Sequence, residues 1–203
     1  MATPKEIEME AKSLLLKADF LLLLNHFGLD YSHAGISQTN NYFIDARGKL
    51  EAMAYETGAT LRVREKKGTH ELQFKHPQAD GSVPEYCDML SPERLDDLTE
   101  FGRMLAGDVC TKLEELGITE PFWPAGTLRT LRFAAQIDGV PDATVYLDES
   151  FCFGFIDYEI EVESDRSQTH AKEVLDIILQ PLQVRYDPAP KKIQRFFQYK
   201  KLA

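Results

Sequence analysis

At 203 residues the chain is long for one average domain and short for two, and its 43% hydrophobic and 10% aromatic content supplies a core and excludes wholesale disorder. Lys and Arg number 23 against 33 Asp and Glu, a net charge of −10 with neutral His, which opposes nucleic acid and anionic membrane as partners and leaves any polyanionic ligand dependent on a local basic cluster or a metal. The three cysteines, Cys87, Cys110 and Cys152, have no CxxC spacing, so neither a disulfide framework nor a zinc knuckle is indicated.

A reducing cytoplasm fits those thiols. No signal-peptide pattern opens the chain, and the most apolar run, 14–24, is interrupted by Lys17 and Asp19 and is too short to span a bilayer. The expectation is one soluble domain over residues 1–203.

In chain order, the first feature is an acidic strand, in which Glu6, Glu8 and Glu10 followed by Lys12 alternate with Ile7, Met9 and Ala11. Residues 17–27 carry Phe20, Leu23, Leu24 and Phe27 at helical spacing, and Gly28 follows where a left-handed cap is common. A strand over 38–45 precedes a turn at Arg47 and Gly48, and strands at 61–64 and 70–75 are joined by a turn at Lys66, Lys67 and Gly68. Ser91 before Pro92 starts a helix over 92–105, because Ser caps free amides and Pro tolerates the first helical position. A second helix runs from 108 to 116 and stops at Gly117. Strands return at 128–137, 144–147 and 153–163, with Asp138 and Gly139 marking a hairpin, and 168–179 is a further helix ended by Pro181. The whole reads as α+β and mostly antiparallel.

Side chains of a strand point alternately to opposite faces, so polarity can be read from parity. The acidic strand at the start and a second one, Glu159, Glu161 and Glu163 around Ile160 and Val162, each have one apolar face and one crowded with like charge. Such a face is ordinarily the solvated side of an antiparallel sheet. Other strands share the design with the opposite sign, however: Arg62 and Arg64 alternate with Leu61 and Val63, Glu71 and Lys75 with Leu72 and Phe74, and Thr130 and Arg132 with Leu131 and Phe133. With the apolar faces turned to the helices, the charged faces converge on each other or on water, and closing the sheet makes them line a channel that anions and cations must fill together. Carboxylates crowded at alternate positions are suited to hard divalent cations. Arg129 has the opposite parity from Arg132 and is expected outside.

Other chemistry is absent from the sequence. His70 and His76 are six apart, so the HExxH spacing is missing, and His26, His33 and His170 are scattered. There is no GxxxxGK[ST], GxGxxG or GxSxG. Trp123, between Pro121 and Pro124, is expected to pack as a loop anchor.

Glu8 to Lys12 fits an ExExK signature, and with it the chain resembles the CYTH superfamily, the triphosphate tunnel metalloenzymes named after class IV adenylyl cyclase and thiamine triphosphatase. QTNNYFID at 38–45, LRVR at 61–64, ELQFK at 71–75, DESFCFGFIDYEIEVE at 148–163 and KIQRF at 192–196 occur in the order and approximate spacing of that family, so the resemblance covers nearly the whole chain. It implies a closed antiparallel eight-stranded β tunnel with a charged interior and helices packed outside. It further implies Glu8, Glu10, Asp148, Glu159 and Glu161 as ligands of Mg²⁺ or Mn²⁺, and Lys12, Arg62, Arg64, Lys75, Arg132 and Lys192 as phosphate contacts. Glu10 and Lys12 are the expected catalytic residues. Glu6 and Glu163 are placed toward strand ends, and Arg195 is left between tunnel and helix surface.

The chemistry implied is phosphoryl transfer, with Arg forks and Lys point charges matching a triphosphate. The expected activity is metal-dependent hydrolysis of the terminal phosphate of an inorganic or organic triphosphate. Adenylyl cyclase activity on ATP and noncatalytic polyphosphate sensing use the same grip and remain alternatives. The expected partner is a small-molecule triphosphate or polyphosphate, without nucleic acid or membrane.

Overall fold

The computed structural model describes every residue except Met1, Glu8, His33, Ala34, Asp80, Gly81, Leu105 and Glu120, with only the backbone of Glu6 and Ile7. Among the described residues nine strands are hydrogen-bonded in the order β1-β6-β5-β4-β3-β7-β8-β9-β2, the β1–β6, β6–β5, β5–β4, β4–β3, β7–β8, β8–β9 and β9–β2 ladders being antiparallel, and six helices accompany them. The N-terminal run read as one strand, from Glu6 to Lys12, is divided between β1 (Glu6–Ile7) and the start of β2 (Glu10–Leu15), and counting it once gives the expected eight. The mixed, antiparallel character is as expected. Among the described residues no helix is long and apolar enough to cross a membrane.

The chain forms two compact units. The first, 1–7, 38–128 and 191–203, contains β4 (Thr60–Lys66), β5 (Thr69–Lys75), β6 (Pro84–Met89), most of β3 (Ile36–Asp45) and the start of β7 (Phe122–Ile137). α2 (Lys49–Thr57), α3 (Pro92–Phe101), α4 (Asp108–Glu115) and α6 (Lys192–Leu202) belong to it. Its core is built by parity: Leu61 and Val63 of β4, Leu72 and Phe74 of β5 and Tyr86 of β6 bury together with Leu98, Val109 and Leu113 of the helices. Arg62, Arg64, Gln73 and Lys75 are thereby turned to the other face.

The second unit, 8–37 and 129–190, contains β2, the remainder of β7, β8 (Val140–Cys152), β9 (Phe155–Ser164), α1 (Lys17–His26) and α5 (Gln168–Leu179). Ala11, Phe133, Val145, Leu147, Ile160 and Val162 bury against Phe20 and Leu23 of α1 and Val174, Leu175 and Ile178 of α5. At about 25 cal/mol per Å² of apolar surface, burial on this scale outweighs the small intrinsic propensities of the strands and fixes which face is dry.

Local signals place most boundaries. Ser91 accepts from Arg94 N and Pro92 opens α3, but the helix expected over 92–105 ends at Phe101 because Gly102 takes a left-handed conformation, φ 67°. Two helices and one strand were not anticipated. α2 runs between left-handed Gly48 and Gly58 and buries Leu50 and Ala54, one turn apart. α6 buries Ile193, Arg195, Phe196 and Phe197, which settles Arg195 as an interior residue. β6 is the missed strand. The strand expected from 153 starts instead at Phe155, after a turn in which Phe153 (φ 50°) and Gly154 (φ 85°) are both left-handed. Trp123 lies in β7, not in a loop, and is 45% exposed; its neighbour Phe122 provides the anchor, buried in the core with its N–H on Gly102 O at 3.0 Å.

Candidate functional site

In the second unit, cross-strand register gathers charge on the face away from the helices. Lys12 stands opposite Glu161 and Glu10 opposite Glu163 between β2 and β9, Asp148 opposite Glu159 and Tyr146 opposite Glu161 between β8 and β9, and Arg132 opposite Asp148 between β7 and β8. Asp148 and Glu159 are fully buried and Glu161 nearly so. Oxygens of Asp148, Glu159 and Glu161 lie within 4.8 Å of one another, as do those of Glu10, Glu161 and Glu163. Glu163, placed by the sequence reading toward a strand end, lies in the second of these groups. Glu8 lies outside the described residues.

Lys12 and Arg132 answer these carboxylates. Lys12 Nζ is 2.6 Å from Glu10 Oε1. Arg132 donates from Nε to Asp148 Oδ1 at 2.8 Å and from Nη2 to Asp148 Oδ2 at 2.7 Å and Glu161 Oε2 at 3.0 Å. Burial opposes the charge on Arg132, but Glu161 and Asp148 more than offset it and hold its proton harder than usual. An all-oxygen set of clustered, buried carboxylates fits a hard divalent cation and would not favour a soft one.

In the first unit the corresponding face is basic. Arg62, 6% exposed, stands opposite Tyr42 on β3 and Gln73 on β5, and its Nε donates to Gln73 Oε1 at 2.7 Å. Arg64 donates from Nε to Asn40 Oδ1 at 3.2 Å. Lys75 Nζ stands 3.0 Å from Glu85 Oε2, and Arg62 Nη2, also buried, makes no hydrogen bond among the described residues and is 3.8 Å from the same oxygen. Glu85 is 2% exposed. Burial alone would raise its carboxyl pKa, but Lys75, Arg62 and Arg64 outweigh burial and hold it at about 2. The Cys87 thiol donates to Glu85 Oε1 at 3.3 Å and is pushed well above its usual pKa by burial and by Glu85 and Glu71, which makes it a poor nucleophile.

Phe196 meets Tyr42 edge-on at 4.6 Å, so α6 lies against the same face as Arg62, and half-buried Lys192 belongs to its first turn. The sequence reading missed Glu85 and the buried neutral groups Asn40 and Gln73. Alternation of Glu85 and Cys87 around the core residue Tyr86 is the signal that points to Glu85. Arg129 is exposed, in keeping with its parity.

The CYTH domain family matches residues 6–197. A crystal structure of a candidate adenylate cyclase from Bacillus halodurans is similar with a TM-score of 0.83 and 30% identity, over 96% of this chain and 100% of that one. A Hippeastrum protein, a candidate adenylyl cyclase with a dominant triphosphatase activity, is similar with a TM-score of 0.74 and 22% identity over 95% of each chain. A Pyrococcus horikoshii OT3 protein gives a TM-score of 0.62 at 17% identity over 94% of this chain and 98% of its own. No curated protein matches the chain. With a match over residues 6–197, nearly its whole length, the chain belongs to the CYTH domain family.

Proposed function

We propose that the chain is a metal-dependent triphosphate phosphohydrolase that releases orthophosphate from an inorganic or organic triphosphate. The observation that carries this reading is the trio of buried carboxylates, Asp148, Glu159 and Glu161, whose oxygens lie within 4.8 Å. Buried like charges at that spacing are costly unless cations hold them. The reading takes residues 1–203 as one CYTH-like domain acting in the cytoplasm, and takes the sheet as the closed tunnel of the family.

Asp148, Glu159 and Glu161, with Glu10 and Glu163 beside them and Glu8 by resemblance, would hold Mg²⁺ or Mn²⁺. A cation held there would supply positive charge against that which builds on the phosphate oxygens as the terminal P–O bond breaks. The protein's own groups do the rest. Arg62 and Arg64 grip phosphate oxygens as forks, and Lys75 and Lys192 add point charges. Lys12, 2.6 Å from Glu10 Oε1, orients the Glu10 carboxylate, which positions the attacking water and accepts its proton. The water oxygen bonds to the terminal phosphorus, the bridging P–O bond breaks, and orthophosphate and the shortened phosphate chain leave.

A second reading, adenylyl cyclase, is favoured by the 30% identity to the Bacillus halodurans protein. There the ribose hydroxyl attacks the α-phosphorus and pyrophosphate leaves. Incubation with tripolyphosphate and with ATP, each with Mg²⁺ or Mn²⁺, separates the two. Orthophosphate is the expected product; pyrophosphate with cyclic AMP would select the cyclase, and binding without turnover a sensor.

The basic face gives its own test. Arg62→Ala and Arg64→Ala should each weaken triphosphate binding by roughly 1.5–3 kcal/mol, the scale of a charge-assisted hydrogen bond, whereas exposed Arg129→Ala leaves it unchanged. Calorimetric titration of the three variants checks this, and a loss at Arg129 equal to that at Arg62 would refute the assignment of faces.

A further inference from the structure

Arg132 is turned into the carboxylates, not away from them. Among the described residues its polar contacts are to anions: Asp148 at 2.8 and 2.7 Å, Glu161 at 3.0 Å and, more distantly, Glu163 Oε1 at 3.8 Å from Nη1, while the guanidinium lies 4.2 Å from the centre of the Tyr146 ring. Asp148 and Glu161 are two of the three residues suited to hold a divalent cation. The guanidinium therefore occupies the very oxygens that such a cation would take.

A carboxylate oxygen can serve two partners, but Arg132 already spans both oxygens of Asp148 and reaches Glu161 Oε2, so a dication on the same two residues would stand beside the guanidinium and repel it. Lys or His would relieve this by losing a proton, but Arg stays protonated. Arg132 must then move. Its backbone is fixed opposite Asp148 by the β7–β8 ladder, so the side chain is what swings, and the face of Tyr146 offers a surface for the planar group to slide along.

We infer that Arg132 is a metal-released phosphate clamp, held by Asp148 and Glu161 until a divalent cation takes their oxygens and only then free to fork onto a phosphate. The inference rests on the metal–triphosphate reading above and adds an order to it. A triphosphate arriving without metal meets a site whose Arg132 is already engaged. Arg132 contributes to triphosphate affinity only when metal is present, and by reciprocity triphosphate tightens metal binding.

The test uses the full chain, Mg²⁺, and imidotriphosphate as a non-hydrolysable probe. In the metal-free protein the clamped guanidinium rotates slowly, so its Nη protons should be resolved by NMR and assigned by their loss in Arg132→Lys. Saturating Mg²⁺ should collapse or shift them. Arg132→Lys keeps the charge, so long-range electrostatics and the fold are preserved while the bidentate fork is lost. Calorimetry should then give equal probe affinities for wild type and variant in chelator, and a loss of roughly tenfold or more in the variant with Mg²⁺, the scale of one charge-assisted hydrogen bond. Equal losses under both conditions, or Nη signals unmoved while Mg²⁺ binding heat is measured, would overturn the inference and leave the metal reading standing. Absence of any Mg²⁺ binding heat would overturn both.

Discussion

On the proposed metal-dependent phosphohydrolase reading, Glu161→Gln is expected to abolish turnover while leaving the metal-free protein as stable as wild type or more so. Glu161 belongs to both carboxylate groups, with Asp148 and Glu159 and with Glu10 and Glu163, so its substitution removes an oxygen anion from each. Loss of a residue that only orients a metal ligand costs about 10–100-fold, so loss of a ligand itself should reduce turnover by at least about a hundredfold. The stability expectation follows from charge. Five clustered carboxylates face Lys12 and Arg132, and neutralising one relieves repulsion at the cost of one bond from Arg132, which keeps both of its bonds to Asp148. A net gain of 1 kcal/mol would raise Tm by about 2–4 °C at this chain length. Asp148→Asn should behave differently, because it strips Arg132 of its bidentate partner inside a buried site and should lower Tm. Steady-state kinetics with Mg²⁺ or Mn²⁺ and melting curves in chelator are the measurements. Unimpaired turnover in Glu161→Gln would remove Glu161 from the metal site.

The faces of the strands were readable because a strand's period is two. Once Leu61 and Val63, or Ile160 and Val162, are assigned to a core, Arg62, Arg64, Glu159 and Glu161 have nowhere else to point. Pairing across strands was not readable in the same way. A two-residue turn at Asp138 and Gly139 keeps Ile137 opposite Val140, and continued regularly it would bring Arg132 opposite Val145 on a core face. A register shift between Ala135 and Ile137 instead brings Ala135 opposite Val145 and Arg132 opposite Asp148. The main contact of the acidic cluster thus depends on an irregularity with no sequence mark. β6 escaped notice for another reason: it is short, opens on Pro84 and carries Glu85 and Asp88 on opposite parities, so no charged stripe appears. Neutral polar residues such as Asn40 and Gln73 give no sign in a sequence of being buried. α2 was legible in principle, since Gly48 and Gly58 bracket a run with Leu50 and Ala54 at helical spacing.

Glu85→Gln should destabilise the protein by about 3 kcal/mol at neutral pH, and the deficit should vanish in acid. Glu85 is the buried counter-ion of the basic face, with Lys75 Nζ at 3.0 Å and Arg62 Nη2 at 3.8 Å. Those cations and Arg64 overcome the penalty of burial and lower its carboxyl from 4.5 to about 2. A depressed carboxylate contributes stability that is fully present above its unfolded pKa and is lost as pH falls through the folded one. The window is therefore pH 4.5 down to about 2, and the shift corresponds to about 3 kcal/mol. Breaking a buried pair by removing one partner typically costs about 3–5 kcal/mol, a consistent scale. Urea unfolding of wild type and Glu85→Gln at pH 7, 4 and 2.5 should show a gap that is largest at pH 7 and narrows steadily with acid. A gap constant over that range would mean that the carboxylate's charge is not what stabilises this face. The same variant should bind tripolyphosphate more tightly in the absence of metal, because Lys75 and Arg62 are then left without their internal anion. Tighter binding together with a weaker fold would mark Glu85 as the group that stands in for phosphate on the basic face, whereas a weaker fold with unchanged binding would confine it to structure.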